Sequence, residues 1–255
     1  MKYGICFLSC TTIYSDMSEY CTPAGQLLFG ETYEVINSNK KFLEIQCINN
    51  SISGYILKSQ SRILSPKEFK VLQNAPKYYT TDSVSTIILN HAITLLSIGS
   101  TLYNFDGLVC QFMDQKINFN GNAIASSQIL QQNQIETLLK KLVNTPYLTG
   151  GQSIFGMDAF GLIRFYLKYL GIKSPKSMDE ILKIGEDVGL IKNAKFGDLV
   201  FWGQKNVEQV SILLNNNSLI HCNGMIKISK YDYLGIINSE DNSYEFSKII
   251  KIIRL

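Results

Sequence analysis

Only two histidines, His91 and His221, occur in the 255 residues, and none of the six cysteines stands in a C-x-x-C pair. A zinc site draws three or four Cys, His or carboxylate ligands at recognisable spacing, so neither a metal nor any other cofactor is expected. No stretch approaches the ~18 consecutive apolar residues of a membrane-spanning helix. The apolar run after Lys2, Ile5–Cys10, is shorter than the roughly 7–15 residues of a secretory signal and fits a first β-strand instead. The chain is therefore expected to be soluble and cytoplasmic as written, or periplasmic or secreted if an export signal was removed. A basic block is missing too: 24 Lys and Arg offset 21 Asp and Glu, giving a net charge of +3 with no cluster, which argues against a nucleic-acid partner. A hydrophobic fraction of 45% with 18% charged residues excludes a disordered chain. Six cysteines (Cys6, Cys10, Cys21, Cys47, Cys110, Cys222) scattered among apolar neighbours read as buried, inert thiols.

The most informative absence lies in Pro146–Leu170, PYLTGGQSIFGMDAFGLIRFYLKYL. This stretch reads as a turn with paired glycines, a short loop, and a helix opening at about Ala159 and closing at Gly171. The first residue of such a helix is where an enzyme places a nucleophile, because unpaired N–H groups there stabilise negative charge. Alanine has no nucleophilic atom to place.

Residues 1–70 alternate short β-branched and aromatic runs with polar turns: Tyr3–Ser9, Gly25–Phe29, Thr32–Ile36, Phe42–Ile48 and Gly54–Ile56. Five strands in that length predict a small barrel. Ser65, Pro66 and Glu68 open a short helix, as N-cap, first helical residue and capping-box partner. Residues 71–125 read as a second small β unit, although Ile87–Ile98 fits a helix or a strand on periodicity alone. Ser126–Leu142 takes up helical spacing. Ser177–Glu186 is another short helix, and Asp198–Trp202, Glu208–Leu214, Ser218–Cys222 and Met225–Ser229 form a strand meander. Residues 126–255 are thus predicted to be an α+β domain.

Pro146-Tyr147-x-x-Gly150-Gly151, Asp158-x-x-Gly161-Leu162 opening a helix, Gly197-Asp198-Leu199-Val200-Phe201, the strand Gln209–Leu214 and Ile220-His221 follow one another in that order. The series resembles the NlpC-type cell-wall cysteine peptidases, whose helix opens Asp-Cys-Ser-Gly and whose later strand begins His-Val-Gly. The front, with Gly25–Glu31, is similar to the bacterial SH3-like modules of members that cleave murein peptides. The resemblance implies SH3-like β-barrels before a papain-like α+β domain. It places Ala159 at the nucleophile position, Gln209 at the general-base position, and His221 at the third polar position that orients the base. Tyr147, Asp158 and Phe160 fall on substrate-contacting positions, Phe160 in place of a serine and Thr149 in place of a tryptophan. Phe160 either narrows the pocket or turns into the core, and Asp158 is either an amine-binding carboxylate or only a helix cap.

The family chemistry needs a thiolate beside an imidazole. Glutamine does not accept a proton near neutral pH. The chain is therefore expected to be a catalytically inactive relative of the γ-D-glutamyl–diamino-acid murein endopeptidases, its retained partner a murein-derived peptide or a protein. Two alternatives are an active endopeptidase inactivated by substitution at position 159, and an interaction protein with an occluded cleft. Cys222 follows His221 on a strand, so if the histidine faces the cleft the thiol faces the core.

Overall fold

The structure, a computed structural model, describes residues 1–18, 22–50, 52–89 and 91–255; Cys21 lies outside them. Among the described residues every ladder between strands is antiparallel, two isolated parallel bridges apart, and four α-helices accompany the sheets.

The front of the chain forms a seven-stranded sheet. Tyr3–Ser9, read as one strand, is a strand only over Lys2–Ile5. The chain then turns and begins a second strand at Cys10–Tyr14, and a further short strand, Arg62–Leu64, closes the sheet beside the first. Helix α1 (Pro66–Asn74) has the expected capping box, with Glu68 N donating to Ser65 Oγ and Ser65 N donating to the Glu68 carboxylate.

Ile87–Ile98 resolves into a hairpin. Val84–Leu89 pairs with Ala92–Ser97, and His91 takes a positive φ of 66° at the turn. This hairpin continues through Gln115–Asn120 to Val109–Phe112, while a smaller sheet joins Thr101–Tyr103, Lys77–Thr80 and Ala123–Ala125. The two front units abut at Gly30, whose φ of 79° and close approach to the Thr101 carbonyl leave no room for a Cβ. The Tyr103 hydroxyl donates to Gly30 O there at 3.0 Å.

Helix α2 is shorter than its periodicity suggests. It spans Gln132–Lys140, because the backbone before it is drawn into the strand Ala123–Ala125 against Tyr78–Thr80. Helix α3 (Ala159–Tyr169) is buried over nearly its whole circumference, and Gly171 follows its end with φ 71°. Helix α4 spans Met178–Ile184 with Ser177 as its cap.

Behind α3 stands an eight-stranded sheet. It contains the expected meander (Leu199–Trp202, Gln209–Asn215, Ser218–Asn223, Met225–Tyr231) and four strands that were not expected, Glu186–Asp187, which takes Glu186 from the helix read over Ser177–Glu186, with Gly235–Ile237, Tyr244–Ser247 and Ile249–Arg254. Ile249–Arg254 is an inner strand between Glu186–Asp187 and Leu199–Trp202. One face of the sheet (Leu199, Phe201, Val210, Ile212, Ile220, Cys222) packs with α2 and α3, and the other (Val200, Trp202, Leu213, Leu219) with the outer strands. Among the described residues no helix is long and apolar enough to cross a membrane, and no group of three or more His, Cys, Asp or Glu is placed to hold a metal.

Candidate functional site

The loop before α3 is a two-residue-strand hairpin, Gln152–Ser153 against Gly156–Met157, that lays Asp158 at the helix mouth. Asp158 caps the helix: one carboxylate oxygen accepts from Gly161 N at 2.6 Å and the other from Gly150 N at 2.7 Å. Both oxygens thus hold backbone, tying the paired-glycine turn to the first helical turn. Ala159 is the first helical residue and is half-buried, so the position where a thiolate would gain most from the helix is filled by a methyl group.

Gly161 lets the loop approach the helix this closely, since a Cβ there would collide with the Gly151 carbonyl oxygen. Gly161→Ala is expected to lower stability by about 2 kcal/mol through this overpacking, read as a shift in the urea midpoint. An unchanged midpoint would show that the loop yields freely.

Phe160 does not stand free at the helix mouth. Its ring packs against the core that α3 shares with the sheet, and the Arg164 guanidinium covers it at 3.9 Å. Tyr147 is exposed, its hydroxyl 3.2 Å from Thr149 Oγ1, and its backbone N–H donates to Gly224 O.

Gln209 opens its strand and is buried. Its amide nitrogen donates to Cys222 O, and its amide oxygen accepts from Val210 N at 2.9 Å. The side chain is therefore spent on backbone at both ends, which satisfies a buried amide without directing either end to a reacting group.

Cys222 packs into the core that α3 shares with the sheet, and His221 takes the opposite face of the strand. The Cys222 thiol, not the imidazole, reaches the helix mouth, donating to Met157 O at 3.3 Å. Strand alternation then turns His221 to the other face, where it pairs in register with Ser211, whose hydroxyl accepts from Trp202 Nε1. Its Nε2 lies 2.9 Å from Ser229 Oγ and 4.0 Å from Glu245, and its Nδ1 is buried without a partner. No hydrogen bond joins His221 to Gln209 among the described residues.

Nor does Cys222 replace the missing nucleophile. Burial pushes its thiol up to about 12, and the nearby Asp158 carboxylate adds to the effect, so it stays protonated and unreactive. The other described cysteines are likewise free, and all but the half-buried Cys10 are buried.

Comparison with known proteins gives this geometry a family. Residues 144–247 match the model described as the NlpC/P60 family. No curated protein sequence matches the chain. Among solved structures, an NlpC/P60 family protein from Bacillus cereus ATCC 10987 superposes with a TM-score of 0.81 at 15% identity, over 99% of each chain. An NlpC/P60 endopeptidase from Photobacterium damselae subsp. piscicida gives a TM-score of 0.67 at 13% identity, covering 98% of this chain and 65% of that one. Such identities carry the fold alone. Taken with the family match, the cap at Asp158 and the helix laid on an antiparallel sheet, they make residues 144–247 an NlpC/P60 family domain of papain-like α+β fold.

Proposed function

We propose that this chain is a catalytically silent relative of the γ-D-glutamyl–diamino-acid murein endopeptidases, and that it binds a cell-wall peptide with the loop and helix mouth that its active relatives use for cleavage. The observation that carries this reading is the joint state of two positions: Ala159 offers no nucleophile, and the Gln209 amide is bonded at both ends to backbone. Tyr147, exposed beside the helix mouth, and Asp158, whose oxygens each keep a second lone pair, are the groups proposed to meet the peptide. The front β units are read as SH3-like modules that wall the site.

The unaltered protein is expected to show no hydrolysis of L-Ala-γ-D-Glu-diaminopimelate peptides and to give saturable heat when titrated with them. Turnover would overturn the silent reading, and a flat titration would overturn the binding one. Ala159→Cys alone is expected to remain inactive, since Gln209 cannot take the thiol proton and the sheet supplies no imidazole in its place. Substantial turnover from that single change would show that another group serves as base, and would favour an active ancestor inactivated only at position 159.

A further inference from the structure

A cavity of about 410 Å³ lies between the seven-stranded front sheet, the second β unit and α3. Gly161, Arg164, Phe165 and Lys168 form its α3 wall. At about 100° per residue these positions are centred on the side of the helix opposite Ala159. The cavity therefore lies on the face of α3 opposite Ala159, with only Gly161 and Gln152 shared with the helix mouth.

Its charge is lopsided. Lys77, Arg164, Lys168 and Lys173 line it against a single carboxylate, Glu31. Glu31 is already committed: one oxygen accepts from Lys168 Nζ at 2.8 Å and the other from Leu28 N at 2.9 Å. Lys168 also donates to Gly99 O at 2.6 Å and sits over the Tyr79 ring, so this pair is internally neutralised.

Arg164 has no such partner. It is only 8% exposed, its Nε is buried without a hydrogen bond, and among the described residues it forms no ion pair. The Phe160 ring lies 3.9 Å from the guanidinium and covers its plane, and no hydrogen bond or ion pair among the described residues takes its edge. The electrostatic influence of Asp158 and Glu31 reaches it, but both carboxylates are bonded elsewhere. Burial lowers its pKa only to about 10, so it remains charged at neutral pH. A buried cation without a counter-charge costs several kcal/mol, and a protein gains nothing in stability by keeping one.

We propose that this cavity binds a small organic anion, whose terminal carboxylate or phosphate is gripped by the edge of the Arg164 guanidinium and by Lys77. The planar fork of arginine suits either group. Lys77 lies at the rim, half-buried, and its side chain makes no ion pair among the described residues. Leu28, Phe165 and Ile172 supply an apolar wall for the body of the ligand. The volume falls within the roughly 300–1,000 Å³ of small-molecule sites.

The test titrates the full chain at constant ionic strength with inorganic phosphate in one arm and glutarate in the other, following melting temperature and heat of binding. At least one arm is expected to saturate and to raise the melting temperature, and the arm that does so identifies the head group. Arg164→Gln is expected to weaken that binding by about tenfold or more, the loss that follows removal of a charged hydrogen-bonding partner. Lys77→Met, at the rim, is expected to fold normally and to weaken binding about threefold or more, as loss of a partly solvated charge. No saturation in either arm overturns the proposal. So does unchanged affinity in Arg164→Gln or, should that variant fail to fold, in Lys77→Met. Neither arm contains a murein peptide, so the outcome is independent of whether the helix mouth binds one.

Discussion

Arg254→Ala is expected to destabilise the chain because it strands a buried carboxylate, read as a fall in the urea midpoint with little change in slope. Asp198 is 1% exposed, and Arg254 forks onto it, Nε at 2.9 Å from one oxygen and Nη2 at 2.7 Å from the other. Among the described residues Lys195 N supplies the only other hydrogen bond to this carboxylate, at 2.8 Å. Removing the guanidinium leaves a buried negative charge held by a single amide. The pair also pins the tail, because Arg254 ends the strand whose Ile252 and Ile253 face Val200 and Leu199 in the middle of the sheet. Arg254 itself is partly solvated, which keeps the loss below that of a fully enclosed pair. Asp198→Asn combined with Arg254→Ala removes both charges and is expected to cost less than the sum of the two single changes. Strict additivity, or a loss from Arg254→Ala near zero, would show that the pair does not hold the strand.

That tail strand marks where the fold stops being legible in the sequence. The most local signal reads correctly: Ser65 with Glu68 forms the expected capping box, while Asp158, left open between two roles, caps α3, and Ser177, read inside its helix, caps α4. Each of these is decided within four residues. Ile249–Arg254 is different, because its apolar residues acquire a face only when they pair with a strand some fifty residues earlier. Ser126–Leu130 fails for the related reason that Ala123–Ala125 is captured by Tyr78–Thr80, which delays the helix to Gln132. Tyr3–Ser9 is cut short at Ile5, because Cys6 N and Cys6 O bond to the Glu31–Gly30 turn where the ladder ends and the chain leaves the first strand.

The candidate site divides in the same way. Motif order and spacing single out Ala159 and Gln209, and no long-range information is needed to see that neither can do the family's chemistry. The bonds that hold the Gln209 amide come from two places, its own neighbour Val210 and the adjacent strand at Cys222, and only the first is local. Arg164 was passed over entirely. It stands in the run Phe160–Leu170, where apolar residues occupy nearly every side of the helix. A lone guanidinium in a helix apolar all round was the available signal. Its meaning depends on the front sheet, which closes over it from more than a hundred residues away.

The histidine carried over from the family pattern is expected to act on stability, making the fold weaken by about 3 kcal/mol as pH falls from 7 to about 3.5. Its pKa is lowered from 6.5 to about 4, first by burial, with Glu245 pulling it up and Lys227 pushing it down. The folded chain therefore binds fewer protons at this site than the unfolded chain does. The stabilising contribution is complete above the unfolded value of about 6.5 and is lost as pH falls through 4. The geometry explains the direction. With one proton, Nε2 can donate to Ser229 Oγ while Nδ1 stays a bare, buried nitrogen; a second proton would put an unpaired N–H in that enclosed position. Lys227 and Asn223 already hold the two Glu245 oxygens, so the carboxylate gives the imidazolium only partial compensation at 4.0 Å. His221→Gln should keep a hydrogen bond to Ser229 without titrating. Its urea stability is expected to be nearly flat between pH 6.5 and 4.5, where the parent chain falls. Equal slopes in the two proteins would mean that His221 is already charged in the fold, and would return it to the list of groups free to take part in proton transfer.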